Sequence, residues 1–520
     1  MKVIGLGGLL DDAACALAVA GKIVAAVEQK KVARRHVAWS LPLEAIDATL
    51  SLARVDASDV DVVAIARPLS ATPDSLLSLR VKQIFPKARL LVVDHHTAHA
   101  ASAYFASGFD EASVLCLDRA GDLRCSSRWK ARGDRFELEQ ESYFPDSLGD
   151  LYGRVTEFLG FTARADEHKV QWMSAGGDTR FVALFEEILG FRATGWPALE
   201  RSFFDRDRLG SGGFSARFYQ ALGLADGESP LPKLQPHLAA GLQRAIENCA
   251  LSMAGRGGNL CLAGGVAFNT LLVRSLEASG QFQNVYVQPA AGNAGTAIGA
   301  AYLGSEGKRQ PMSSLALGPS FQAEETKQIL ENCKLSPKFL LTTDELIQSV
   351  LSELKEQRIV AWFQDRMEFG PRALGNRSIL ASPLDPYATE NLNSFIKHRE
   401  AFRKFAASVP AEDAAQYFEF GPNAKNLASI ATVRPEYRER FAPALLGADS
   451  IRLHVVEADE NPLFHRLLKA AGAATGLPVL YNTSFNLFGD ALVCNPRDAV
   501  RSFYSSGIDV LYVGHFLLRK

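Results

Sequence analysis

Arg372 and Arg377 lie in the run Glu368–Pro383, EFGPRALGNRSILASP, among a Gly-Pro and a Gly-Asn turn signal. Glycines at 370 and 375 let main-chain amides approach a ligand closely. Guanidinium groups add planar, permanently charged forks that suit phosphate or carboxylate oxygens. The chemistry this stretch offers is an anion pocket. The plain alternative is a surface loop with two solvated arginines. Two later segments add to the first. Ile396–Arg403, IKHREAFR, clusters Lys397, Arg399 and Arg403, and Pro478–Asn486, PVLYNTSFN, is an apolar strand ending in Asn482, Thr483 and Ser484.

A second constellation lies near the N-terminus. Asp94-His95-His96-Thr97-Ala98-His99 runs into the helix-forming Ala98–Ala106. On a helix, His95 and His99 share one face, a geometry for two ligands on one metal. The alternative is a helix N-terminus whose histidines cap backbone groups. Asp118 ends an apolar strand, Ala112–Asp118, and can supply an oxygen ligand or cap the Arg119–Asp122 turn.

The elements that must position these residues read as a mixed α/β chain. Lys2–Leu6, Ala13–Ala20 and Lys22–Glu28 are expected strands around turns at Gly7-Gly8 and Gly21-Lys22. Strand Asn259–Ala263, then Gly264-Gly265, then a helix from Val266 is a way to lay a nucleotide on a helix N-terminus. Val285–Gln288, the Pro289–Gly295 loop with Gly292 and Gly295, and a helix Thr296–Leu303 repeat that logic. Residues from about 200 to 230 look irregular. Arg452–Val456 is an expected strand and Pro462–Ala474 an expected helix.

With 520 residues, two or three domains are expected, and the polar stretch Gly304–Pro311 places a boundary near residue 310. A net charge of -2 gives no electrostatic case for nucleic acid or an anionic membrane surface. No apolar run reaches a membrane span, and Asp11 and Asp12 interrupt the only stretch that mimics a signal peptide. Seven scattered cysteines without a C-x-x-C pair argue for reduced thiols, a cytoplasmic location and no zinc module.

EFGPRALGNRS, KHRE and NTSFN, with HHTAHAASAY and LAGGVAFN, resemble the nodulation-factor and antibiotic O-carbamoyltransferases over nearly the whole chain. The resemblance implies a duplicated actin-like ATPase architecture over residues 1–310 and a YrdC-like α/β domain over 311–520. It implies a two-step reaction: carbamoyl phosphate and ATP give carbamoyl-adenylate, and the carbamoyl group then moves to a hydroxyl of a sugar or natural product. Arg372, Arg377, Lys397 and Arg399 would face phosphate charge, and Asn482, Thr483 and Ser484 would hold the carbamoyl amide. Gly370, Gly264, Gly265, Gly292, Gly295 and Lys169 are placed with the donor-binding residues.

His95, His99 and Asp118 match the family's metal ligands, with His96 structural. The implied cofactors are an iron- or manganese-type ion there and magnesium with ATP. Departures from the family pattern include Asp11 where a histidine base is usual, Arg119 for a glycine and Asn293 for a metal aspartate, besides the Glu28–Lys31 and Gln171–Gly177 runs and Lys404 for a proline. The first three motivate an alternative, a degenerate scaffold that binds nucleotide or carbamoyl phosphate without alcohol transfer. Transfer to a protein cysteine or to tRNA is disfavoured by the lack of zinc fingers and of basic charge. A homodimer is the candidate assembly.

Overall fold

The computed structural model describes residues 1–35, 40–67, 75–121, 123–205, 211–487 and 489–520. Asp122, at the end of the expected turn, and residues 206–210 of the expected irregular stretch lie outside the described residues.

Among the described residues the strands form two five-stranded sheets and one of ten strands. The first contains β1 (Lys2–Gly7), β2 (Ala14–Val19), β3 (Lys22–Glu28), β4 (Val62–Arg67) and β5 (Arg89–Asp94), in the order β3-β2-β1-β4-β5. The second contains β6 (Glu111–Gly121), β7 (Arg124–Arg132), β8 (Arg135–Tyr143), β9 (Gly257–Ala263) and β10 (Phe282–Val287), in the order β10-β9-β6-β7-β8. The two orders match. Each begins as an antiparallel meander, β1 with β2 and β3 or β6 with β7 and β8, and then gains a parallel neighbour, β4 or β9. Continuous apolar runs such as Val3–Leu6 and Val114–Leu117 are buried on both faces, as strands with helices on either side must be. The chain is thus a mixed α/β protein with a duplicated strand order of the actin-like ATPase kind.

Contacts divide the chain into two compact units. One holds the first sheet and residues 293–520, and the other holds residues 94–292. The boundary expected near residue 310 falls inside the first of these. No described helix is long and apolar enough to cross a membrane. The seven cysteines are free, and all but Cys333 are buried.

One expectation about a helix start is corrected. Gly264-Gly265 does not open a helix directly. A short 3-10 turn, Gly265–Phe268, intervenes, and the helix Thr270–Ala278 starts where the Asn269 side chain accepts Leu272 N–H at 3.1 Å. A cap residue beats the apolar pattern in setting the start.

The ten-stranded sheet carries the C-terminal motifs. Its centre runs Val360–Phe363, Arg377–Ala381, Leu480–Ser484, Ala406–Pro410 and Ser450–Val456. The arginine motif is therefore loop only in its first half, because Arg377–Ala381 is a fully buried central strand. Leu380 pairs with Asn482, Asn482 with Ala406, and Ala406 with Arg452. With period-two alternation this places Asn482, Ser408, Arg452 and His454 on one face.

Helix Pro462–Thr475 covers part of that face, its start fixed by Pro462 and by the Asn461 side chain accepting from Phe464 N–H at 3.1 Å. Phe464 lies parallel to the His454 ring, 6.1 Å between centroids, and fills the space beside Gly375. Gly375 has φ +93, and a Cβ there would stand 2.3 Å from Phe464 Cδ1, so backbone and packing both exclude a side chain. Phe464→Ala should cost about 3–5 kcal/mol, measured as a lower urea midpoint for the C-terminal transition, with loosening of the adjoining arginine loop seen as faster amide exchange at Gly375.

Candidate functional site

Two clusters emerge, one in each compact unit. In the unit of residues 94–292, the Asp94 side chain caps helix His95–Ser107 by accepting Thr97 N–H at 2.8 Å. The cap fixes the first turn, so His95 and His99 fall on one side of it. Asp118 Oδ2 lies 3.1 Å from His95 Nε2 and 3.7 Å from His99 Nε2, and the three ligand atoms are within 4.8 Å of one another.

His96 faces away and uses both ring nitrogens, on Ser127 Oγ at 2.8 Å and on the Arg124 carbonyl at 3.0 Å. Burial drives its pKa down to about 3, so it is neutral and structural. Burial also lowers His99, whose two ring nitrogens are enclosed with no hydrogen-bond partner. Burial alone would raise the Asp118 carboxyl, but the imidazoles of His95 and His99 outweigh it and hold it well below the usual carboxylate range. A neutral imidazole with an orphaned buried nitrogen, beside an ionised carboxylate, is the donor set a divalent cation requires.

The cradle is also shaped for something small. A Cβ at Gly121 would stand 2.4 Å from His95 Cδ2 and 2.8 Å from Asp118 Oδ2. Gly121 was not among the residues singled out from sequence, although it follows the strand that ends in Asp118. Asp118 also serves its local-cap role, because Oδ1 accepts Arg119 N–H at 2.8 Å. Gly265 lies close to that same Oδ1, and Gly264 N–H donates to the Ala291 carbonyl at 2.8 Å, which ties two of the glycine loops together. Gly292 packs on Phe268. Lys169 is held by Asp166 at 3.2 Å and lies 5.3 Å from the Phe161 ring centroid.

In the other unit, Asp11 is exposed in the first turn, and its N–H donates to the Gly8 carbonyl at 2.9 Å. Asn293 and Gly295 form the 3-10 turn before helix Thr296–Gly304. Thr296 Oγ1 donates to the Asn293 carbonyl at 2.6 Å and accepts Gly8 N–H at 3.2 Å. The first turn and the Asn293 turn are thus one hydrogen-bonded structure.

The second cluster is built on the ten-stranded sheet. Glu368, 1% exposed, organises it. One oxygen of its carboxylate accepts the main-chain N–H groups of Leu374 at 2.7 Å, Asn376 at 2.9 Å and Arg377 at 3.2 Å. The loop is also clasped from the N-terminal sheet. Lys31 Nζ donates to the carbonyls of Glu368 at 2.9 Å and Gly370 at 2.6 Å, and Gly370 N–H donates to Glu28 Oε2 at 3.0 Å. Glu28 and Lys31 form a buried ion pair with each other.

The two arginines of the motif then part company. Arg372 is half-buried, and its guanidinium has no hydrogen-bond or ion-pair partner among the described residues. Burial first, and Arg403 second, lower its pKa to about 10, so it stays charged at neutral pH. Arg377 lies in the core rather than at a pocket wall, which corrects the expectation of two equivalent pocket arginines. It is fully enclosed, 3.6 Å from the Phe363 ring centroid, and bonds to the carbonyls of Gln364, Asp365 (3.1 Å), Asn376 (3.3 Å) and Pro319 (2.9 Å). Its position as first residue of a central strand explains the burial.

Lys397 is likewise engaged: Nζ donates to the carbonyls of Ser484 at 2.6 Å and Asn486 at 2.9 Å and to Asn486 Oδ1 at 2.8 Å. Burial, then Arg399 and Arg403, push its pKa well below the usual lysine value. Arg399 bonds Asn393 Oδ1 at 2.7 Å through Nε and leaves Nη2 buried without a partner. Arg452 completes the group, its pKa lowered by burial and then by Arg372, Arg399 and Arg403. Arg452 escaped the sequence reading, although the alternation Ser450-Ile-Arg452-Leu-His454 marks a polar strand face.

Asn482 lies on that face. Its Nδ2 donates to the Ala373 carbonyl at 3.3 Å and to Ser408 Oγ at 3.2 Å, and Ser408 in turn meets His454 Nδ1 at 3.0 Å. Burial lowers the His454 pKa to about 3, so the ring is neutral. The Ala373 carbonyl fixes which way the amide points and leaves Asn482 Oδ1 as a buried acceptor with no partner. The cluster therefore offers cations for an oxyanion and, beside them, an acceptor for an N–H group. Thr483 pairs with Ile379 across the sheet, and Ser484 Oγ donates to Asn486 Oδ1 at 2.8 Å.

Comparison with known proteins reaches both clusters. Residues 72–302 match the carbamoyltransferase N-terminus family model, and residues 351–520 match the carbamoyltransferase C-terminus model. Nodulation protein NolNO of Sinorhizobium fredii is 31% identical over 98% of this chain and 79% of its own length. Nodulation protein NolO of Bradyrhizobium diazoefficiens is 32% identical over 82% of this chain and 79% of its own. The 3'-hydroxymethylcephem-O-carbamoyltransferase of Streptomyces clavuligerus is 29% identical over 50% of this chain and 49% of its own. With both family models matched and relatives similar along nearly its whole length, the chain belongs to the carbamoyltransferase family.

Proposed function

We propose that the protein forms carbamoyl-adenylate from ATP, carbamoyl phosphate and water, releasing orthophosphate and pyrophosphate, and transfers the carbamoyl group to a hydroxyl of a small molecule, releasing AMP. The observation that carries this reading is the juxtaposition of unpaired cation and unpaired amide oxygen on the ten-stranded sheet. Arg372 and Arg399 Nη2 have unsatisfied donors, and Asn482 Oδ1, tied beside Arg372 through Ala373, is an unsatisfied acceptor. Carbamoyl phosphate carries a phosphate needing the first and an amide N–H needing the second. Preorganised donors of this kind stabilise crowded phosphate charge without reorganising during the reaction.

In this reading the residues have distinct roles. Arg372, Arg399 and Arg452 contact phosphate oxygens, and Asn482 orients the carbamoyl group. Arg377, Lys397 and Glu368 position the loops that carry them. His95, His99 and Asp118 would hold a divalent ion of the iron or manganese type, which supplies Lewis-acid polarisation when bound. The exposed Asp11 carboxylate is the candidate for accepting the acceptor's hydroxyl proton.

The test is the first half-reaction alone. Purified protein given ATP, magnesium and carbamoyl phosphate should release pyrophosphate without any acceptor, and absence of release would favour a binding scaffold. Arg372→Ala should lower kcat/KM for carbamoyl phosphate by about 10²–10³ while leaving the melting temperature near wild type. Arg377→Met should instead lose about 3–5 kcal/mol of stability, because the carbonyls it bridges are left buried and unpaired. Equal melting temperatures for the two variants would sink this division of labour. At the triad, Gly121→Ala should weaken manganese binding at least about tenfold in a metal titration, because its Cβ displaces both His95 and Asp118.

A further inference from the structure

Arg119 immediately follows a triad ligand, and its surroundings hold it unusually firmly for a half-exposed arginine. Its N–H is on Asp118 Oδ1 at 2.8 Å, and its carbonyl accepts Ser147 Oγ at 2.7 Å. A Cβ at Gly149 would stand 3.0 Å from Arg119 Cα, so the first turn of helix Leu148–Phe158 packs directly on this backbone. The guanidinium is aimed by Asp150, which is 2% exposed: Nε and Nη2 reach Asp150 Oδ1 at 3.1 and 3.0 Å.

Asp150 is shared. Its other oxygen accepts Arg154 Nε at 2.7 Å, so one buried carboxylate is bracketed by two guanidinium groups. Those three side chains sum to one positive charge, and the ionised Asp118 carboxylate, whose Oδ1 accepts the Arg119 N–H, offsets it until the triad takes a cation. Arg154 is further fixed by a 3.1 Å bond from Nη1 to the Gly212 carbonyl and stands 5.5 Å from the Phe204 ring centroid. Nη1 of Arg119 has no partner among the described residues, and 38% of the side chain stays accessible. A preoriented guanidinium with a free Nη1, on a residue whose main chain is bonded to the triad carboxylate, suits an oxyanion better than it suits any neutral group.

We propose that Arg119, held by Asp150 and reinforced by Arg154, forms an oxyanion subsite next to the His95–His99–Asp118 triad, taking a phosphate or carboxylate carried by the molecule presented there. The anion belongs either to the donor nucleotide or to the hydroxyl acceptor, and in the second case the acceptor is an acidic compound rather than a neutral one. The assignment of these two sources rests on the carbamoyl-transfer reading. The subsite itself does not, because it requires only that an anion bind.

The test uses two probe pairs that differ in the oxyanion, AMP against adenosine and glycerate against glycerol, with affinities measured by calorimetry. A background with Arg372→Ala, Arg399→Ala and Arg452→Ala removes the three cations placed on phosphate oxygens at the ten-stranded sheet. In that background one charged probe should bind at least about tenfold more tightly than its neutral partner, and the preference should shrink as salt is raised. Adding Arg119→Gln should abolish the preference. Preference within the AMP pair assigns the anion to the donor, and preference within the glycerate pair assigns it to the acceptor. The manganese affinity of the Arg119→Gln protein should stay near that of its parent, because Asp118 is bonded by the Arg119 main chain and not by its side chain. No charged-over-neutral preference in either pair, or a preference that survives Arg119→Gln, would overturn the subsite. Absence of pyrophosphate release by the wild-type protein, with the preference intact, would instead count against the carbamoyl-adenylate reading alone.

Discussion

One carboxylate oxygen of Glu368 accepts three main-chain N–H groups, and the arginine cluster depends on that convergence. Arg372, Arg399, Arg403 and Arg452 repel one another in a partly desolvated place, as the lowered pKa values of Arg399 and Arg452 register. Glu400 pairs with Arg403 at 3.9 Å, but a carboxylate facing Arg372 as well would occupy the place of an anionic ligand. Fixing the backbone from behind avoids this conflict. Glu368 grips the loop by its amides, while Lys31 grips it by its carbonyls, so the loop is held without engaging the Arg372 guanidinium. The stored repulsion is then relieved when a ligand brings negative charge.

The same economy governs the metal-ligand triad. The Asp94 cap and the His96 bonds to Ser127 and Arg124 orient the helix, leaving His99 with both ring nitrogens unpartnered. Burying an imidazole without hydrogen bonds costs stability. The surrounding structure tolerates that cost at the point where Asp118 also converges, and Gly121 keeps the space clear. In both clusters, neighbouring polar residues are held by several hydrogen bonds each, while a few polar atoms aimed at the site have none.

Much of this was legible in local pattern. Apolar runs bounded by glycine turns marked β1, β2 and β3 nearly to their ends, and the spacing of His95 and His99 placed both on one helical side because a cap fixed the helix start. What was not legible depends on pairing between distant strands. Arg452 and His454 join Asn482 and Ser408 only through the register Asn482–Ala406–Arg452, which no local signal encodes. Asp150 was not singled out from sequence, and its bracketing by Arg119 and Arg154 exists only once helix Leu148–Phe158 packs on the end of β6. The helix expected from Val266 began later because Asn269, a side-chain cap, outweighed apolar periodicity.

Arg372 and Arg377 show most directly why residue type alone could not assign roles. Both lie in one motif, carry the same group and flank the same glycine. Strand pairing separates them: Arg377 aligns with Phe363, which draws its guanidinium under the sheet edge and onto four carbonyls. Arg372 precedes the strand, and Gly375, whose conformation and contact with Phe464 admit no side chain, sets where the loop turns inward. An arginine with that many carbonyl acceptors cannot be withdrawn to meet a ligand without leaving them buried and bare. Arg372 has no such attachment to break. On the proposed reading, the cation that would meet the ligand is therefore the one the fold left unpaired, and its charged twin is part of the support that holds it there.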